Sequence, residues 1–275
     1  MSTIWDRTTE FLDDNRGALA PVVLFGLFVP LGLLGTLMPL MRSGGTQGDW
    51  ALGLIVLLMA LVTSWAGLVI TALAFDPGGG RAAAVALANR RLLPVLGIGV
   101  VTLLAVFVLT LPIGIILGMS GMDMTALSSG RMAPNEVNGG ALLIATFYAF
   151  VLGLLLFWAY ARLVVLIPPI MLLERRGLGV YRRAFNLTRH IAWKVIGMLL
   201  LYFLLSWVAS MAARTVFGTI FALLIGGEGT ITLASVLTQF VVAAVSTLFS
   251  LLAAVFVAKL YLAVRETPEA IVTAS

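Results

Sequence analysis

The chain contains no cysteine and a single histidine, and only 11% of its 275 residues are charged. Without cysteine there is no disulfide, no thiolate metal site and no cysteine nucleophile. The shortage of charge excludes an ordinary soluble domain, in which about 25% of residues are charged. No basic, cleavable leader is expected either. The first apolar run, from about Ala18, follows "STIWDRTTEFLDDNR", a segment with four acids, and the run is long enough to span a bilayer. We therefore expect an uncleaved first helix.

What the chain has in abundance is apolar length: 61% hydrophobic residues and a mean hydropathy of +1.11. Runs of about 20 apolar residues recur, which predicts an all-α polytopic integral membrane protein. The expected spans are about Ala18–Met41, Trp50–Phe75, Leu92–Gly118, Ala141–Ile167, Ala192–Met211 and Ile231–Val264. Pro30 predicts a bend in the first, and Pro168–Pro169 an end or kink in the fourth. The net charge of +5 and pI near 10.1 would suggest nucleic acid in a soluble protein. Here the cations flank spans, so the expected partners are anionic lipid headgroups, with no nucleic acid.

Arg7, Arg16, Arg81, Arg90, Arg91, Arg175, Arg176, Arg182, Arg183, Arg189, Lys194 and Arg265 fall in alternate connections, with Arg162 and Lys259 in snorkelling reach of the same side. The other connections carry Arg42 and Arg131, with Arg214 near the far end of the fifth span. This asymmetry predicts that both termini are cytoplasmic.

Self-comparison suggests one transmembrane domain with three internal repeats, 1–77, 78–170 and 171–268. At a shift of 100 positions, Ala84, Leu87, Val95 and Gly97 fall on Ala184, Leu187, Val195 and Gly197. "NRGALAPVV" from Asn15 is a fainter echo of "NRRLLPVLG" from Asn89. Each unit is expected to comprise a short cytoplasmic helix, a span, an outer loop and a returning span. In the first short helix Ile4, Trp5, Phe11 and Leu12 share a face; in the third, Tyr181, Ala184, Phe185 and Thr188 do. Such helices should lie in the interface with their apolar faces in acyl chains. The second, Arg81 to Arg91, is alanine-rich and less polarised, and "DPGGGR" before it reads as a turn.

The runs "ARLVVLIPPIMLLERRGLGVYRRAFNLTRHIAWKVIGMLLL", "FDPGGGRAAAVALANRRLLPVLG" and "YLAVRETPEA" resemble the membrane domain associated with glycerophosphoryl diester phosphodiesterases. The resemblance covers most of the chain through diffuse motifs: an arginine before a proline, a Glu-Arg-x-Gly turn, an alanine-rich helix. It implies a helical membrane module in a bacterial inner membrane. Some members place this domain before a soluble phosphodiesterase domain, and many relatives lack the catalytic part. Such hydrolysis uses histidine acid/base catalysis and a carboxylate-bound divalent metal. One histidine and scattered acids do not supply that set, so a stand-alone membrane domain is expected, with no catalytic residue, cofactor or metal.

Other chemistry is weaker still. "GMSG", Gly118 to Gly121, matches the G-x-S-G of rhomboid proteases, but His190 is expected on the opposite face from Ser120, roughly 30 Å away. Gly114-x-x-x-Gly118 suggests close helix packing instead. Asp123 is expected in an outer loop, with no second aspartate in a span. Arg214 is expected to pair with Glu228 near the outer face, and Gln239 to bond a neighbouring helix. Ser246, Ser250, Ala254 and Ala258 form a small-residue seam. The remaining candidate is a lipid- or anion-binding site formed from Arg162, Arg175, Arg176, Arg182, Arg183 and Arg189, with Glu174 folded back toward Arg162. The expected function is a non-catalytic membrane module, accessory or scaffold, that contacts anionic phospholipids and possesses an unidentified membrane-protein partner. The alternative is a permease-like protein that binds or moves a lipid or small amphiphile.

Overall fold

A computed structural model describes residues 2–43, 49–120, 139–174, 177–189, 191–226 and 231–273. The readings made above for Gly121, Asp123, Arg131, Arg175, Arg176, His190 and Glu228 lie outside the described residues.

Among the described residues the protein is helical, with no strand. Six helical stretches are long and apolar enough to cross a membrane. The chain is an all-α polytopic membrane protein. In chain order the elements are α1 (Ser2–Asp14), α2 (Arg16–Val23), a π turn (Leu24–Phe28), α3 (Val29–Ser43), α4 (Asp49–Phe75) and α5 (Gly80–Met119). There follow α6 (Gly139–Ala159), a second π turn (Tyr160–Val164), α7 (Ile167–Leu173), α8 (Gly179–Thr188), α9 (Ala192–Ile225) and α10 (Leu233–Thr273).

Proline accounts for both irregular spans. A proline has no N–H to return to the carbonyl four residues back, so the helix must rearrange nearby. In the first span the π turn ends just before Pro30, and the Val29 N–H reaches Leu24, five residues back. In the fourth, the Val165 N–H likewise reaches Tyr160 at 3.2 Å. Leu166 then leaves helical geometry (φ −92°, ψ 0°), and Pro168 and Pro169 fall in the first turn of α7, where an N–H is dispensable. A helix irregularity thus accompanies the prolines in both spans, and in the fourth the helix is interrupted at Leu166.

The spans differ from expectation in extent. The segment Arg81 to Arg91 does not form a separate short helix; it is the start of α5, a continuous 40-residue helix. At 1.5 Å per residue α5 is about 60 Å long, twice the hydrocarbon thickness. Its start is rich in alanine, the Asn89 side chain is engaged by Trp65 Nε1 at 2.7 Å rather than by its own backbone, and Pro94 is absorbed without a break. By contrast Asn15 (φ −111°, ψ 18°) separates α1 from α2, and Ile191 (φ −118°, ψ 5°) precedes α9. The fifth span runs past Met211 to Ile225, because apolar residues continue beyond Arg214 until Gly226 turns the chain at φ +65°.

Helix α10 is the centre of the bundle, packed against α1, α3, α4, α7 and α9. Its alanines and serines let neighbours approach closely: Val255 and Ala258 join a core with Ala66, Val69, Ile70 and Leu73 of α4, so the expected seam holds at that end. Close approach also occurs where the sequence did not advertise it. A Cβ at Gly26 would lie 2.5 Å from Ala66 Cβ, and one at Gly35 would lie 2.9 Å from Gln239 Oε1. Among the described residues nothing lies within 4 Å of a Cβ placed at Gly114 or Gly118, so no close helix packing is seen there. Packing is tightest toward the end that carries α1, the Asp76–Gly80 turn and α8, hereafter the basic end. In the last turns of α4, Ala66, Leu68, Val69, Ile70, Ala72, Leu73 and Ala74 are all buried, whereas Trp50, Leu54, Leu57 and Leu58 are exposed. Much of α5, α6 and α9 likewise turns apolar side chains outward, the surface a bilayer would cover.

The two short helices, α1 and α8, pack much of their apolar faces on protein, while Trp5 (48% exposed) and Phe185 (39%) stay on the surface. In α1, Thr8 and Phe11 are buried, the latter within the core of α2, α4 and α10. In α8, Val180, Ala184, Leu187 and Thr188 are buried against the third, fourth and sixth spans. Each large side chain so removed from water contributes about 1.5–3 kcal/mol to docking.

Candidate anion-binding site

Helix α8 is held by three spans at once. Tyr181 shares a 2.6 Å hydrogen bond with Thr102 of α5. Thr188, fully buried, points its hydroxyl at the carbonyls of Ala184 (2.9 Å) and Arg162 (3.2 Å), the latter in the second π turn. Arg183 meets Glu174, just beyond α7, in a two-point fork of 2.8 and 3.1 Å. The same carboxylate accepts the hydroxyl of Tyr261, a fully buried side chain of α10. Burial pushes the Glu174 carboxyl up; the hydrogen bonds from Arg183 and Tyr261, with the charges of Arg183 and Arg265, more than offset this and hold it below its ordinary range.

Glu174 therefore does not fold back to Arg162, as the sequence suggests; it is taken by Arg183. The helical register explains why. Val180, Ala184 and Leu187 are the inward stripe of α8, and Arg183 sits beside it. Arg183 thus leaves the candidate anion site and becomes part of the frame.

The outward stripe of α8 is different in kind. Arg182, Phe185, Asn186 and Arg189 are exposed and share one face at spacings of three and four. Phe185 covers Arg162, whose guanidinium carbon lies 4.0 Å from the ring centroid; Trp158, one turn earlier, lies 5.3 Å from it on the same measure. Such contacts satisfy the flat faces of a guanidinium, not its in-plane N–H groups. The Arg162 Nε is buried and has no hydrogen-bond partner among the described residues. None of Arg162, Arg182 and Arg189 has an ion pair among the described residues. Trp193 and Lys194, both exposed, continue the collar at the start of α9. The structure thus gathers Arg162, Arg182 and Arg189 around Phe185, assigns Arg183 to a structural pair, and leaves Arg175 and Arg176 outside the described residues.

Sequence reasoning missed Phe185 and Trp158 as the walls of this site, and Tyr261 as the far partner of Glu174. The four-residue spacings Trp158–Arg162 and Phe185–Arg189 were the available signal for the walls. At the basic end Lys259 also has protein partners: it donates to the Ala74 carbonyl (2.9 Å) at the end of α4 and lies 4.8 Å from the Phe11 ring. It lines an open depression of about 460 Å³ with Arg7, Glu10, Phe11, Asp14, Asn15, Pro77 and Gly78, where both signs of charge are present.

At the former protease candidate, the Ser120 hydroxyl is turned onto the Leu117 carbonyl at 2.6 Å, a helix-end bond. The triple glycine is a turn, the Gly79 N–H donating to Asp76 Oδ1 at 3.1 Å with Gly80 at φ +70°. Among the described residues no group of three histidines or carboxylates converges as a metal site would require. Comparison with protein-family models, curated proteins and solved structures yields no match.

Proposed function

We propose that the chain is a non-catalytic integral membrane module that contacts anionic phospholipid at its basic end. It would lie in a bacterial inner membrane with both termini cytoplasmic. The observation that carries this reading is the face of α8: two exposed arginines with no carboxylate partner among the described residues, beside a third, Arg162, walled by aromatic rings. Basic residues of this kind attract anionic leaflets by about 1 kcal/mol each near the surface, and Trp193 and Trp158 suit the headgroup boundary. The resemblance to the phosphodiesterase membrane domain agrees with a module of this type. The test is lipid analysis of the chain extracted in native nanodiscs. Enrichment of anionic over zwitterionic phospholipid relative to the parent membrane is expected; bulk composition would refute the reading. A tag at residue 130 should be reached only from outside the cell.

A second reading, a permease-like protein for a lipid or small amphiphile, has one observation in its favour. Among the described residues the Thr247 hydroxyl in α10 is buried without a hydrogen-bond partner, where a helical threonine ordinarily bonds its own preceding turn. Movement of labelled phospholipid across liposomes holding the protein, beyond that of empty liposomes, would select this reading over the first.

A further inference from the structure

We propose that Arg162 forms a discrete, stoichiometric site for one phosphate group, distinct from the diffuse attraction of the basic end. The inference deepens the lipid-contact reading and, for a lipid-borne phosphate, rests on it.

Three features set Arg162 apart from the surface cations. It lies within a span, in a π turn, an irregularity that recurs at functional positions. A cation within a span is costly unless something offsets its charge. Its backbone is fixed, because the Thr188 hydroxyl reaches its carbonyl. Its guanidinium is fixed as well, by the Phe185 ring at 4.0 Å and the Trp158 ring at 5.3 Å.

The aromatic contacts define what the missing partner must be. Aromatic rings offer no strong acceptor to the N–H groups, and among the described residues the buried Nε–H has no hydrogen-bond partner. The described carboxylate nearest in sequence, Glu174, is committed to Arg183 and Tyr261. An edge-on, planar donor fork matches the oxygens of a phosphate or a carboxylate. Arg182 and Arg189 on the adjacent stripe raise the local positive charge beyond what a single carboxylate offsets, and a phosphate has oxygens for more than one arginine. The shared chemistry is therefore a phosphate group, borne by a phospholipid headgroup or free in solution.

The experiment uses the full chain. In one arm it is reconstituted in nanodiscs of phosphatidylcholine and phosphatidylglycerol, and retained lipid is counted by native mass spectrometry. In the other, the delipidated chain in detergent is titrated with inorganic phosphate. The expected result is one tightly retained phosphate-bearing ligand in the wild type. Arg162→Lys, which keeps the charge but loses the plane, should weaken it about tenfold or more. Phe185→Leu, at a partly exposed position that tolerates change, should weaken it to a lesser extent. The general enrichment of phosphatidylglycerol in the lipid shell should be unaltered in both variants. Retention of phosphatidylglycerol identifies a lipid source and saturable inorganic phosphate a soluble one; either upholds the site. A site for inorganic phosphate with no shell enrichment would uphold the site and refute the lipid-contact reading. Shell enrichment with equal retention by wild type and Arg162→Lys would overturn the site alone. Retention of a fatty acid in place of phosphate would overturn it too.

Discussion

The Arg183–Glu174–Tyr261 cluster offers a prediction whose size follows from geometry. Glu174→Gln keeps the shape of the side chain and removes its charge. The fork to Arg183 loses one acceptor and both charge-assisted bonds, and the Tyr261 hydroxyl loses an ionised partner. Hydrogen bonds to charged groups are each worth about 1.5–3 kcal/mol. Removing one partner of a fully buried pair costs about 3–5 kcal/mol. Glu174 is 16% exposed, but Arg183 is 36% exposed, so water can solvate the abandoned guanidinium. We therefore expect a loss of about 2 kcal/mol, and about 1–1.5 kcal/mol for Tyr261→Phe. The two changes share a carboxylate, so the double variant should lose less than the sum, with a coupling of about 0.5 kcal/mol or more. The assay is reversible unfolding in detergent, repeated across pH. The folded carboxyl ionises below its unfolded counterpart. Its contribution is thus complete above the unfolded value near 4.3 and declines as pH falls through the folded value. The gap between wild type and Glu174→Gln should close in acid and stay constant above about pH 5. A gap that widens in acid, or strictly additive losses, would refute the clamp.

Three further outcomes are expected. Gly26→Ala should destabilise by about 1–3 kcal/mol, since the added carbon meets Ala66 at 2.5 Å between two backbones; thermal unfolding measures it. Gly114→Ala and Gly118→Ala should be neutral within about 0.5 kcal/mol in the same assay, because both sites are open. Lys259→Met should loosen α1 while sparing the bundle, because Nζ joins the Ala74 carbonyl to the Phe11 ring. Hydrogen exchange should show protection falling in residues 4–14 and retained in α4 and α10.

The fold was largely legible because a membrane span is written in length and hydropathy, and Pro30 and Pro168–Pro169 announced the two irregular spans. Helix ends were less so. Pro94, three residues after Arg91, is absorbed without a break, so the alanine-rich segment runs into α5, and Arg214 was too isolated to end α9. The docking of α1 and α8 was hidden for a physical reason: an apolar stripe reads the same whether lipid or protein covers it. At the candidate site, Arg162 and the cations of α8 were visible as charges within or beside spans. Which of them are free depends on register across helices. Arg182 and Arg183 are neighbours in sequence, yet one faces outward and the other meets Glu174. Phe185 lies 27 residues from Trp158 and 23 from Arg162, and it meets them only because the chain breaks at Leu166 and turns before Gly179.

The central claim is that the basic end holds anionic phospholipid. Its most direct measurement is the phospholipid composition of native nanodiscs carrying the wild type and the Arg182→Gln, Arg189→Gln variant, each compared with its parent membrane. The account predicts anionic enrichment around the wild type and a clear decrease in the variant at equal thermal stability. Equal enrichment in both, or none in either, would contradict it.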